Sequence, residues 1–331
     1  MKYAIGFNWE SELVDFAREL NLKSKDKIFE FFGSPAFSFF GGATTYPRVK
    51  DVSFEKVEKK VKYVKSKGIE FDYLINASVF PKINSGDSFK QAINYLEFIK
   101  NLNPEIITVG NEETLNFIIK HFPEFKINLS IVLAIKSLNR AEAFFKKYSN
   151  IRRIVLHQTL NRDKKELEKH IKLAHKYNVE VELLVNEICL YDCPNMKAHY
   201  NYLGKISQSK MNSNLKFFDY CCKVRSENPL EFLNACWIRP EDVKIYEEMG
   251  VDILKIAGRG ESNKYLKRIM GAFIKREYRG NIMNLFYPTW WENKKIPYVE
   301  NSLFDGFLEY LFKSGKKKLD TIPSKFKFSY G

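Results

Sequence analysis

The sequence predicts an α/β protein of the TIM-barrel-like (β/α)8 class, and three observations carry that expectation. Eight short apolar, β-rich runs alternate with longer segments of helical period. The triplets Lys67-Gly68-Ile69, Tyr177-Asn178-Val179 and Met249-Gly250-Val251 each read as a helix end followed by a buried parallel strand. No Gly-x-Gly-x-x-Gly and no Gly-x-x-x-x-Gly-Lys-Ser/Thr follows a strand, so a nucleotide-binding open sheet, the main alternative, lacks its usual marks.

Taken in order, the predicted strands are 3–8, 27–33, 71–77, 105–110, 127–132, 153–157, 179–186 and 252–257. Amphipathic helices are expected at 10–19, 53–67, 88–101, 112–121, 140–147 and 164–177. The last places Leu167, Ile171 and Ala174 on one face, with lysines opposite. Its two histidines, His170 and His175, read as solvent-facing. One spacing is abnormal: the seventh strand ends near 186 and the eighth begins near 252. The expected organisation is one domain over 1–311, with an insertion at 188–250, and a basic tail at 312–331.

Composition narrows the class further. The 331 residues are 45% hydrophobic and 28% charged, the balance of a globular chain rather than a disordered one. Fifty-four Lys and Arg against 40 Asp and Glu leave a net charge of +14, which suits an acidic small molecule or RNA as partner better than a cation. The N-terminal stretch becomes amphipathic and acidic at once, with no apolar signal core, and no run is long enough to span a bilayer. A cytoplasmic location is therefore expected, where thiols stay reduced.

All five cysteines, Cys189, Cys193, Cys221, Cys222 and Cys236, fall in the insertion. Loops that follow barrel strands build barrel active sites, so this placement points to chemistry. Cys189 and Cys193 are spaced to aim two sulfurs at one centre from a single turn, and Pro194 stops a helix there. Four thiolates suit a [4Fe–4S] cluster or a tetrahedral zinc ion, and the irregular second half tilts the reading toward the cluster. Five unrelated buried cysteines are the plainer alternative. His199, beside Tyr200, is expected to pack rather than to ligate.

Residues at predicted C-terminal strand ends form the candidate site: Asn8, Glu10, Glu30, Asn76, Asn111, Glu112, His157, Glu187, Lys255 and Arg259. Glu187 suits a general base or a hydrogen-bond acceptor for the cysteine loop. Lys255 and Arg259 suit an anionic group, or else pair with Glu187 or Asp242. No Gly-x-Ser-x-Gly and no His-Glu-x-x-His is present to support hydrolysis.

Several motifs together resemble the peptidase U32 family. They are Ala4-Ile5-Gly6-Phe7-Asn8, Gly33 with Gly41-Gly42, the strand Phe71 to Ser78, and Arg162-Asp163. Leu184-Val185-Asn186-Glu187-Ile188-Cys189 with Cys193-Pro194 follows, then Trp237-Ile238-Arg239-Pro240-Glu241-Asp242 and Lys255-Ile256-Ala257-Gly258-Arg259. The chain departs from the family at Val79-Phe80-Pro81, where a polar or cysteine-containing stretch is expected. The resemblance implies a TIM-barrel-like core and, in several branches, a [4Fe–4S] cluster. It assigns the ligands to Cys189, Cys193, one of Cys221 and Cys222 (Cys222 being preferred), and Cys236. It further implies oxygen-independent hydroxylation of a small aromatic molecule or an RNA base. Two alternatives stay open: a collagenase-like peptidase, and a non-catalytic cluster- or zinc-stabilised subunit that pairs with another family member as a heterodimer. Under the enzyme reading, Glu187, Lys255, Arg259 and His157 are the catalytic candidates.

Overall fold

In the computed structural model, residues 1–44, 48–209, 211, 216–286 and 297–329 are described. Parts of the expected insertion (210 and 212–215) and the last two residues of the tail lie outside them. Eight parallel strands close into a barrel in sequence order: β1 (Lys2–Gly6), β2 (Lys27–Gly33), β3 (Glu70–Ile75), β4 (Ile106–Val109), β5 (Ile127–Leu129), β6 (Ile151–Val155), β7 (Glu180–Leu184) and β8 (Ile253–Ile256). Closure comes from β8 lying parallel to β1, with Ala4 opposite Lys255. Each strand overlaps a predicted run, so the TIM-barrel-like fold expected from the sequence is the fold observed.

Period-2 alternation explains why these runs become barrel strands. Outward positions such as Ile5, Phe31, Phe71, Tyr73, Ile107, Leu129, Ile154, Leu183 and Leu254 join one large apolar cluster with the surrounding helices. Inward positions do not. Ala4, Phe32, Leu74 and Ile253 form a separate small cluster. Seven further inward residues are polar: Glu30, Asp72, Thr108, Asn128, Arg153, Glu182 and Lys255 are all buried.

The helices that cover the outer face are α1 (Ser11–Lys23), α2 (Phe54–Ser66), α3 (Asp87–Leu102), α4 (Glu112–His121), α5 (Leu138–Lys147) and α6 (Lys164–Lys176). Several are started by the side chains their sequences offer. Ser53, Asn111, Ser137 and Asp163 accept hydrogen bonds from first-turn amides of α2, α4, α5 and α6. His170 of α6 departs from its expected exposure. It is buried, with Nδ1 2.7 Å from the Glu166 carbonyl, whereas His175 is exposed beside Asp252.

Between β7 and β8 the insertion carries α7 (Met196–Ser209), α8 (Lys216–Glu227), α9 (Pro229–Asn234) and α10 (Val243–Glu248). Helix α7 crosses the barrel mouth and is fastened to loops on the far side. The Gly42 amide donates to Ser207 Oγ (2.8 Å), and Gln208 Nε2 donates to the carbonyls of Phe40 and Val79. Gly204 allows this close approach, since a Cβ there would sit 2.9 Å from Val79 Cγ2. After β8 come α11 (Asn263–Lys275) and α12 (Phe307–Ser314). The segment beyond α12 keeps its lysines exposed but buries Leu319 and Phe326.

Candidate functional site

A cavity of about 220 Å³ opens at the C-terminal end of the strands, roofed by the insertion. Its floor is the top of the lumen: Phe32, Leu74, Thr108, Val155, Leu184 and Lys255. Its roof carries Glu187, Cys189, Cys193, His199, Tyr200, Phe217, Phe218 and Cys221, and Arg48 and Arg259 also line it. This is the end at which barrels of this kind act.

Three of the five cysteines therefore share one cavity, though they come from two elements. Cys189 and Cys193 sit in the loop after β7, and Cys221 sits on α8. Arg225, fully buried, ties these elements together. Its Nη1 donates to the Ile188 carbonyl (2.8 Å) and its Nη2 lies 3.6 Å from Cys222 Sγ. The Cys189 thiol donates to Glu187 Oε2 at 3.5 Å. Burial and the Glu187 carboxylate push the Cys189 thiol well up, and burial raises Cys193 as well. Cys221 moves the other way. Hydrogen bonding from Cys222, with the nearby Arg225 and Arg48 cations, outweighs burial and lowers its thiol to about 7.

The remaining two cysteines stand apart from the cavity lining. Cys222 neighbours Cys221 but faces Arg225; its hydrogen bond with Cys221 and burial raise its thiol, against the pull of the Arg225 cation. Cys236 is buried in the segment leading out of α9, its thiol 3.8 Å from the Asn234 carbonyl and pushed up to about 12 by burial. Among the described residues, no three His, Cys, Asp or Glu side chains are drawn together closely enough to hold a metal ion. Cys189, Cys193 and Cys221 suit a soft metal or a cluster in donor type and face one cavity, but as placed they do not stand close enough to share one, and Cys222 is turned toward Arg225. Cys236 does not fit that placement.

The other sequence candidates divide. Glu187, Lys255, Arg259 and Asn76 line the cavity. Lys255 does not pair with Glu187 or Asp242. Its Nζ lies 3.3 Å from Asp72 Oδ2 and 3.2 Å from Glu182 Oε2, and 4.1 Å from the centre of the Phe32 ring. Arg259 Nη1 donates to Ser34 Oγ at 3.2 Å, while Asp242 pairs with Arg239. Burial opposes the Lys255 charge, but Glu182 and Asp72 outweigh it and hold the ammonium above its ordinary range.

His157 lies in a neighbouring cavity of about 430 Å³, with Asn111, Glu112, Lys136 and Asp192. Its Nδ1 is 2.8 Å from Thr159 Oγ1, and burial with the nearby Lys136 lowers its imidazole to about 4. The two cavities share the wall formed by Val132, Cys193, Met196 and Tyr200. His199 stacks on Phe217 at 5.1 Å, and Glu30 is sealed inside the lumen. Asn8 and Glu10 serve local structure, the first bonding to Asn263 and the second to Lys50.

Sequence reasoning missed Arg225, Asp72, Arg153 and Glu182. The signal for Asp72 and Glu182 is an ionisable residue between apolar neighbours, as in Phe71-Asp72-Tyr73 and Val181-Glu182-Leu183; Arg153, beside Arg152, lacks it. For Arg225 the signal is its place one helical turn beyond Cys221 and Cys222.

Comparison with known proteins agrees with this picture. The chain is 28% identical over 304 residues to the uncharacterized protease MJ1657 of Methanocaldococcus jannaschii, covering 90% of this chain and 86% of that one. The solved structure of the U32 peptidase Mk0906 superposes with a TM-score of 0.54 at 16% identity, covering 78% of this chain and 92% of that one. No protein-family profile matches the chain. The chain is thus similar in sequence to MJ1657 over most of its length and shares its barrel fold with the U32 peptidase Mk0906.

Proposed function

We propose that this protein is a redox enzyme of the U32 type that uses an iron–sulfur cluster at the barrel mouth, with oxygen-independent hydroxylation of a small anionic substrate as its reaction class. One observation carries the reading: Cys189, Cys193 and Cys221 face the same cavity as Lys255 and Arg259. To hold the cluster, Cys189, Cys193 and Cys221 would have to close together around it, with Cys222 turning from Arg225 as the fourth thiol. When bound, such a cluster supplies one-electron chemistry at a potential set by its surroundings.

The chain's own residues do the rest. Lys255 and Arg259 bind an anionic group of the substrate, Arg through its planar fork. Glu187 Oε2 accepts from the Cys189 thiol, so when Cys189 gives up its proton to ligate, the carboxylate stands where it can take that proton and keep it beside the reacting space. Leu74, Val155 and Leu184 exclude water from the floor.

Anaerobic purification followed by iron and sulfide quantification tests the assignment. About four irons per chain are expected, falling sharply in Cys189→Ser, Cys193→Ser and Cys221→Ser and staying unchanged in Cys236→Ser. Iron-free protein after anaerobic preparation overturns it.

A peptidase is the second reading, favoured by the lowered thiol of Cys221 in a cavity that His199 also lines. A gelatin assay in which Cys221→Ser abolishes cleavage and iron content is nil would select it.

A further inference from the structure

The lumen beneath the cavity has an unbalanced charge count. Glu30 on β2, Asp72 on β3 and Glu182 on β7 are fully buried, and among the described residues only Arg153 on β6 and Lys255 on β8 oppose them there. Arg153 Nη1 lies 2.9 Å from both oxygens of Glu30, and Lys255 bridges Asp72 and Glu182. The strands between add only neutral groups: Thr108 Oγ1 donates to Asp72 Oδ2 at 2.6 Å, and Asn128 Nδ2 donates to Glu182 Oε2 at 3.0 Å. At the N-terminal rim, Glu180 meets both Arg153 and Lys2, and the exposed Glu70 lies near Glu105. Rim charges therefore do not cancel the deficit of one cation in the lumen.

Bonding leaves the same deficit visible. Asp72 Oδ1, Glu182 Oε1 and Asn128 Oδ1 are buried acceptors with no hydrogen-bond donor. A buried carboxylate left without a donor is costly, and protonation is the usual relief. Burial and the neighbouring acids raise both Glu30, to about 8, and Asp72.

We infer that the barrel lumen holds one proton shared among Glu30, Asp72 and Glu182, and that Lys255 couples this store to a small anion with an apolar body bound on the cavity floor. An anion drawn to Lys255 takes over the cation that Asp72 and Glu182 now share. One of those carboxylates then binds a further proton from solvent, an O–H bond forming as the buffer acid loses its proton. Lys255 is the residue that would touch the ligand, and Asp72 and Glu182 are positioning residues. The inference rests on the cavity being the binding site and not on the cluster, so iron-free protein tests it separately from the iron assay.

Infrared absorption of the protonated carboxyl C=O at about pH 7 reads the store directly. Wild type shows the band. Glu30→Gln, Asp72→Asn and Glu182→Gln each leave two acids against two cations, so each removes it without a large change in shape. Lys255→Met leaves three acids against one cation and roughly doubles it, by the same charge balance. Calorimetry with benzoate as the probe, in two buffers of different ionisation heat, then gives about one proton taken up per benzoate bound. A wild-type spectrum without the band, or one unchanged in the three amide variants, overturns the shared proton. Benzoate that binds with no proton uptake, or does not bind, overturns the coupling.

Discussion

Arg153 of β6 and Glu30 of β2 meet across the barrel lumen, a single guanidinium nitrogen lying 2.9 Å from each carboxylate oxygen. Both side chains are almost wholly buried. Where Glu30 is ionised, removing Arg153 strands its charge, so Arg153→Met should cost about 3–5 kcal/mol in urea denaturation above about pH 8. The double variant Arg153→Met with Glu30→Gln should recover most of that loss, because no uncompensated charge remains.

Glu30 also predicts how stability follows pH. Burial raises its folded carboxyl to about 8, above an ordinary glutamate, so between the two values the folded state binds the extra proton. This group's stabilisation is full below the ordinary glutamate range and is lost as pH rises toward about 8. Wild type minus Glu30→Gln should therefore fall with pH across that window, by at most about 1.4 kcal/mol per pH unit. A flat difference would refute the assignment.

Asp26 behaves in the opposite sense. Burial would raise its carboxyl, but two hydrogen bonds from Arg276 and one from the Met1 ammonium lower it. Its contribution is present above the ordinary aspartate value and is lost as pH falls through the lowered one. Asp26→Asn should cost about 2–4 kcal/mol at neutral pH and flatten the acid limb of the unfolding profile.

Gly110, just after β4, has no room for a side chain. A Cβ there would lie 2.3 Å from the Asn76 carbonyl oxygen and 2.7 Å from that of Ala77. Gly110→Ala should lower stability by about 1–3 kcal/mol in thermal unfolding and disturb Asn76, which lines the cavity.

Ser207 fastens the insertion, accepting from the Gly42 amide and donating toward the Gly204 carbonyl. Ser207→Ala leaves the Gly42 donor unmet, at a cost of about 1–3 kcal/mol. Limited proteolysis should cut the 188–250 segment faster in this variant while the barrel stays intact.

The barrel was legible because strand and helix periods alternate cleanly, and because caps such as Asn111 and Asp163 stand where helices begin. The polar lumen was less so. A charged residue within a short apolar run gives no sign of whether its side chain turns into the lumen, and Glu30, Asp72, Glu182 and Lys255 share that pattern. Spacing brought five cysteines into one window but carried no information about which way each loop turns. Only the folded chain separates Cys236, behind the loop, from the three that face the cavity. His170 reads as exposed from its lysine neighbours, yet it stands three residues after Leu167 and four before Ala174, on the buried face of α6.

Helix α7 reaches from the strand-seven side to the loops of β2 and β3, joining residues 165 apart in the chain. The diameter of the barrel thus meters how far Cys189 and Cys193 can travel from Cys221. Lengthening the glycine-bearing loop around Gly41 and Gly42 would slacken that tether unless the crossing helix changed in step. Among relatives, these two distant stretches should therefore vary in length as a pair, even where little else in either is alike.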